Sequence, residues 1–164
     1  MRQLAVTLNP PDLPAYVRVI RVPACGTHRF RVCSKSAWGC WSHWAGNHTE
    51  ACFCTVEERE ANPPLHIHRW KGFLHVIAEG SGRHYFLEVT ADALNNFLLR
   101  VPDRHNLRGM LINVRREPET KRGAIVIEIA APAPKNPDVP PERSPRPMLE
   151  RLWRTKLPTG PLAS

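Results

Sequence analysis

The densest chemistry in the chain lies in Trp38-Gly39-Cys40-Trp41-Ser42-His43-Trp44, then Asn47-His48, then Cys52-Phe53-Cys54. Thiolate and imidazole are the ligands zinc prefers, and four of them close a tetrahedral site. Cys40 and His43 are separated by two residues, a common knuckle spacing, and Cys52 and Cys54 supply a second pair. That C-x-C pair is tighter than knuckles usually use. The expected ligands of a structural Zn2+ are therefore Cys40, His43, Cys52 and Cys54, with His48 as the alternate for His43. Cys25 and His28 repeat the C-x-x-H spacing and are further alternates. The competing reading is reduced cysteines buried as small hydrophobes among surface histidines. Residues 34–64 show no hydrophobic period and few aliphatics, and a loop of that length is uncommon unless something orders it. A metal would.

A second constellation is His66-Ile67-His68. Two histidines flanking one residue on a strand share a face and can hold one divalent metal. The pattern resembles the nickases of rolling-circle replication and single-strand transposition, which also need a tyrosine nucleophile. The chain offers Tyr16, upstream, and Tyr85, in an expected strand just after a turn. A nucleophile must lie within reach of the metal-bound phosphate, so the nickase is a minor alternative. A cupin-type site would need a glutamate shortly after the histidines, where Gly72 and Phe73 stand instead. No glycine-rich phosphate loop and no G-x-S-x-G elbow is present. No catalytic residue is assigned.

Aromatic and basic residues interleave around the Cys/His segment. Trp38, Trp41 and Trp44 lie within it, and Arg69, Trp70, Lys71 and Phe73 follow. Bases of a single strand stack on rings while Lys and Arg track phosphates. Arg83, Tyr85, Arg115, Arg116, Lys121 and Arg122 complete the expected nucleic-acid-binding set. Glu117 and Glu119 temper the charge of the 115–122 link. The opposing reading makes the tryptophans a small core and the charges a solvated face.

The elements that must position these residues follow from periodicity. Residues 16–22 and 28–33 are strand-like, the second alternating strictly, and Cys25-Gly26 suggests a bend or turn between them. Residues 68–77 and 84–89 read as a hairpin across Glu79-Gly80-Ser81-Gly82. Thr90 is an expected N-cap, and Ala91, Leu94, Phe97, Leu98 and Val101 share one helical face that Pro102 ends. Strands at 108–115 and 124–129 follow. With 16–33 taken as one bent strand, the order is β, insertion, β, β, α, β, β. The expected fold is mainly β: an OB-fold-like five-stranded Greek-key barrel with one helix and a zinc-stabilised Cys/His insertion after the first strand.

The chain of 164 residues carries 23 Lys+Arg against 15 Asp+Glu, a formal net charge of +8. That excess favours an acidic partner, nucleic acid first. No run approaches the roughly 20 apolar residues of a membrane helix. Residues 1–8 carry one Arg before Asn9-Pro10-Pro11, unlike a secretory leader, and five Cys with a C-x-C pair do not suit a disulfide framework. A cytoplasmic protein is expected. The organisation is a lead-in at 1–14, an OB-like domain at 15–130 with its insertion at 34–64, and a Pro-rich tail at 131–164. Within the tail, 148–157 lacks proline, and Leu149, Leu152, Trp153 and Lys156 share a helical face. So short a helix should order only against another surface: the barrel, a second subunit or a separate partner.

In plan, residues 15–130 resemble zinc-containing OB-fold single-stranded DNA-binding proteins of the phage helix-destabilising type. The resemblance rests on barrel-like element order, a Cys/His insertion near the first strands and a distinct tail. It implies single-stranded DNA binding in replication, recombination or a mobile-element process. Two features depart from that pattern. Cys52 and Cys54 are closer than the family's last two cysteines, and the tail has six Lys+Arg against three Asp+Glu where the family's tails are acidic. The alternative is a protein–protein interaction module with a structural zinc.

Overall fold

The computed structural model describes residues 17–63, 66–153 and 157. Its strands are β1 (Arg18–Arg21), β2 (His28–Val32), β3 (Trp38–Trp44), β4 (Thr49–Ala51), β5 (His68–Ala78), β6 (His84–Thr90), β7 (Leu111–Glu117) and β8 (Ala124–Ala131). Its helices are α1 (Val56–Glu60), α2 (Ala91–Leu98) and α3 (Arg146–Trp153). The chain is mainly β, as expected.

β5 is the spine of the sheet. One of its edges carries β6 along Lys71–Ile77. The other is shared, with β3 on the first half and β2 on the last residues. The sheet runs β1-β6-β5-β2-β7-β8, and β4 extends it beside β3.

This arrangement corrects the five-stranded barrel. Residues 16–33 are not one bent strand: β1 pairs in parallel with β6, whereas β2 lies between β5 and β7. Pro23 offers no amide proton for a continuous ladder, and Gly26 at φ +83° turns the chain between them. With β3 and β4 also in the sheet, β1 and β8 remain edges, and among the described residues no pairing closes them into a barrel.

The insertion is likewise built of strands rather than an aperiodic loop. The buried positions of β3 are Cys40, Ser42 and His43, which hydrophobic periodicity does not register. Gly39 and Gly72 face each other across β3 and β5, and the Trp70 ring fills the slot between them. A methyl group on Gly39 would collide with that ring, and one on Gly72 would stand 2.8 Å from it. A turn with Gly46 at φ +93° joins β3 to β4.

The two faces of the sheet carry different layers. On one, α2 buries Ala93, Leu94 and Phe97 against Leu74, Val76, Leu87, Val89, Ile112 and Ile127. Thr90 caps it, its hydroxyl accepting from the Ala93 amide at 3.3 Å. On the other, Leu149, Trp153 and Leu157 pack on Cys40, Ala51 and Phe73. The tail is thus a strap over its own sheet: Arg108 donates to the carbonyls of Cys33, Val139 and Pro140, and Glu142 accepts from the Lys35 amide at 2.8 Å. Leu152, expected on the docking face, points to solvent. Lys156 lies outside the described residues. No described helix is long and apolar enough to cross a membrane.

Candidate metal centre

β-pleat geometry decides which Cys and His residues meet. Successive side chains alternate between faces, so Cys40 and His43, an odd number of positions apart on β3, point to opposite sides. Cys40 goes into the α3 layer at 2% exposure, and burial pushes its thiol up to about 12, against a weaker opposing pull from Lys71. It is removed from the expected ligand set. The C-x-x-H spacing suits a turn; on a strand it separates the pair.

His43 pairs directly with His68 across the β3–β5 ladder. Cys52 follows β4, its amide donating to the Trp41 carbonyl at 2.9 Å. His43, Cys52 and His68 bring one ligand atom each to within 4.8 Å of one another. The described structure therefore contains a Cys/His group at metal-binding distance. Two members came from the expected set, and His68 from the H-x-H pair assigned above to a different chemistry.

Glu50 accepts from His43 Nε2 at 2.8 Å, and that bond holds the Glu50 carboxyl below its usual range. With the proton on Nε2, His43 Nδ1 presents a lone pair, as in carboxylate–histidine–metal triads. His43 Nδ1 and His68 Nε2 are buried and have no hydrogen-bond partner among the described residues. Such atoms are costly unless something satisfies them. Burial, then the neighbouring His43 and His66, lowers the pKa of His68. Cys54 donates its amide to Cys52 Sγ at 3.4 Å; burial, then its hydrogen bond to Cys52, raises its thiol. The His66 ring stacks on His43 at 4.1 Å. α1 closes this end, its capping box formed by Thr55 and Glu58. Arg59 donates to the Cys54 carbonyl at 2.6 Å and covers the Trp41 ring at 4.7 Å.

The alternates lie elsewhere. His48 sits on the β3–β4 turn, 3.4 Å from Glu50. Cys25 and His28 engage each other and the 117–123 turn: His28 Nε2 meets the Cys25 carbonyl at 3.0 Å, and Glu119 accepts from the Gly26 amide.

A second group, Cys33, His75 and His84, is fully buried. Here the His75 ring is engaged in hydrogen bonds on both nitrogens. The Arg143 amide donates to His75 Nδ1 at 3.1 Å, so the His75 proton lies on Nε2 and is donated to His84 Nδ1 at 3.0 Å. A ligating His75 would need its proton on Nδ1, where the Arg143 donor stands. Burial holds His75 at about 4, and raises the Cys33 thiol to about 11. The group ties the tail strap to the sheet.

The expected nucleic-acid residues divide sharply. Phe73, 1% exposed, is core between Trp38 and Trp153 and offers no face to a base. Trp38 and Trp70 are half-buried in packing, and Tyr85 packs against the α2 layer. Lys71 is paired with Glu88 at 3.1 Å. Arg115 is held by Glu128 at 2.8 Å and by Glu117, and Arg116 by the Val22 and Gly123 carbonyls. These residues support structure. Trp44, Arg69, Arg83, Lys121 and Arg122 remain exposed.

Among the described residues, Tyr85 does not complete the nickase arrangement. Tyr85 pairs with Val76 on β5, eight residues from His68 and so roughly 26 Å along the strand. Tyr16 lies outside the described residues. No protein-family model, curated protein or solved structure matches this chain.

Proposed function

We propose that the protein binds single-stranded nucleic acid without catalysis, in replication, recombination or a mobile-element process, and that a structural zinc holds the end of the sheet that presents the binding residues. The observation that carries this reading is the Trp44–Arg69 face. Trp44 is 58% exposed and ends the strand that carries His43. Arg69 pairs with Ser42 on β5 and shares the face of Trp44. Trp44 directly follows the paired His43, Ile67 directly precedes the paired His68, and Ile67 is 72% exposed. A solvent-facing indole, an apolar neighbour and an exposed guanidinium are what a stacked base and its phosphate require. The net charge of +8 supplies long-range attraction. This reading keeps the single-strand binding that the resemblance implies and places it on this face rather than in a barrel groove.

The test is titration with oligo-dT, oligo-U and duplex DNA over a salt series. Preference for single strands, with affinity falling at a slope near −0.7 per neutralised phosphate, supports the reading. Equal affinity for duplex reduces it to charge attraction.

A second reading is a protein-docking module. Trp44, Phe53, Val56 and Ile67 are all exposed large hydrophobics of this one region, a composition that also marks protein interfaces. Absence of oligonucleotide binding at low salt favours it.

A further inference from the structure

The group His43, Cys52 and His68 is one ligand short of a closed tetrahedral centre. Two residues border it, Cys54 and His66, and ring geometry chooses between them. A metal bound to an imidazole nitrogen lies in the plane of that ring. The His43 and His66 rings are stacked 4.1 Å apart with only 6° between their planes. Parallel stacked planes share no point, so one ion cannot be ligated by both. The His68 ring stands at 87° to His43, and perpendicular planes intersect on a line where an ion can sit.

Cys54 meets the remaining requirement. It follows Cys52 by two residues on the same segment, and its amide already donates to Cys52 Sγ at 3.4 Å, the kind of outer hydrogen bond that steadies a metal thiolate. Cys54 also lines, with His43, Glu50 and Phe53, the cavity of about 320 Å³ beside the group.

We propose that His43 Nδ1, His68 Nε2, Cys52 Sγ and Cys54 Sγ form one Cys2His2 zinc site, with His66 as a stacked cover and Glu50 as the carboxylate that orients His43. The assignment rests on the zinc reading above and is independent of nucleic-acid binding. On binding, the Cys52 and Cys54 thiols each release one proton to solvent, and two thiolates with two neutral imidazoles leave no net charge around Zn2+. The buried lone pairs of His43 and His68 gain their missing partner. The C-x-C spacing, tight for a knuckle, is workable because the chain leaves β4 at Ala51 and turns before α1.

The test is X-ray absorption at the zinc edge on the full-length protein, purified without chelator and loaded with one equivalent of Zn2+. The expected first shell is two sulfurs at about 2.3 Å and two nitrogens at about 2.0–2.1 Å. This shell should persist in His66→Ala and Cys40→Ala, and Cys54→Ser should show one sulfur fewer. A wild-type shell with a single sulfur overturns the Cys54 assignment even where Cys54→Ser does not fold. Loss of a nitrogen in His66→Ala, or of a sulfur in Cys40→Ala, overturns the ligand set while leaving a zinc protein. No zinc retained by the wild type overturns the site itself.

Discussion

His43 stands directly opposite His68 in the β3–β5 ladder, and Cys40, three residues before His43, faces the other side of the same sheet. One strand thus contributes to two layers. Its His43 face meets Cys52 and His68, and its Cys40 face is sealed by Trp153 and Leu149.

Chelation should act first on the His43 end. Stripping the metal with a strong chelator is expected to increase proteolysis in residues 45–66 while the β6–α2–β7 core persists. Limited proteolysis with mass mapping checks this. Unchanged cleavage after verified metal removal would show that packing alone orders the insertion.

The Trp70 slot gives a packing prediction. Gly39→Ala places a methyl group against the Trp70 ring, and overpacking of this kind costs about 1–3 kcal/mol. Urea denaturation should show a lowered midpoint with little change in slope. A variant as stable as the wild type would mean that the ring has room to move.

The tail strap separates two neighbouring residues. Trp153→Ala removes a buried ring packed on Phe73 and should cost about 3–5 kcal/mol. Leu152→Ala, at an exposed position, should stay within about 0.5 kcal/mol of wild type. Equal effects would contradict the docked orientation of α3.

Acid should loosen the strap through His75. Burial lowers its folded pKa to about 4, below the ordinary histidine value of 6.5. The unfolded chain therefore binds more protons between these values. The contribution is fully present above pH 6.5 and is lost as pH falls toward 4. Urea midpoints measured from pH 7 to 4.5 should fall, and His75→Gln should flatten the fall. An identical pH dependence in the variant would assign the effect to other groups.

Much of the fold could be read from the residues. The alternation in 28–33, the hairpin across Gly80-Ser81-Gly82 and the Thr90 cap each reflect a local rule that tertiary packing did not override. What could not be read depended on partners distant in sequence. β1 looked continuous with β2 because strand propensity does not state which neighbour is chosen. β3 looked like loop because Gly39 leaves space for a ring contributed by Trp70. At the site, residue type alone points to His43 and Cys52, whereas Cys40 is misplaced by its spacing, which has no meaning until turn or strand is known. The signal for His68 was present in His66-Ile67-His68, but only the β3–β5 register connects it to His43. In the sequence Arg115 and Arg116 read as free charge, whereas in the fold Glu128 and the Val22 carbonyl hold them.

The most direct measurement of the functional account is the oligo-dT affinity, by fluorescence anisotropy of a labelled strand, of the wild type, Trp44→Ala and Lys71→Ala at one salt concentration. Losing a stacked base costs about 1–3 kcal/mol, so Trp44→Ala should weaken binding by roughly 5- to 150-fold. Lys71→Ala, whose ammonium is already paired with Glu88, should change it little. Trp44→Ala binding as tightly as the wild type would contradict the account.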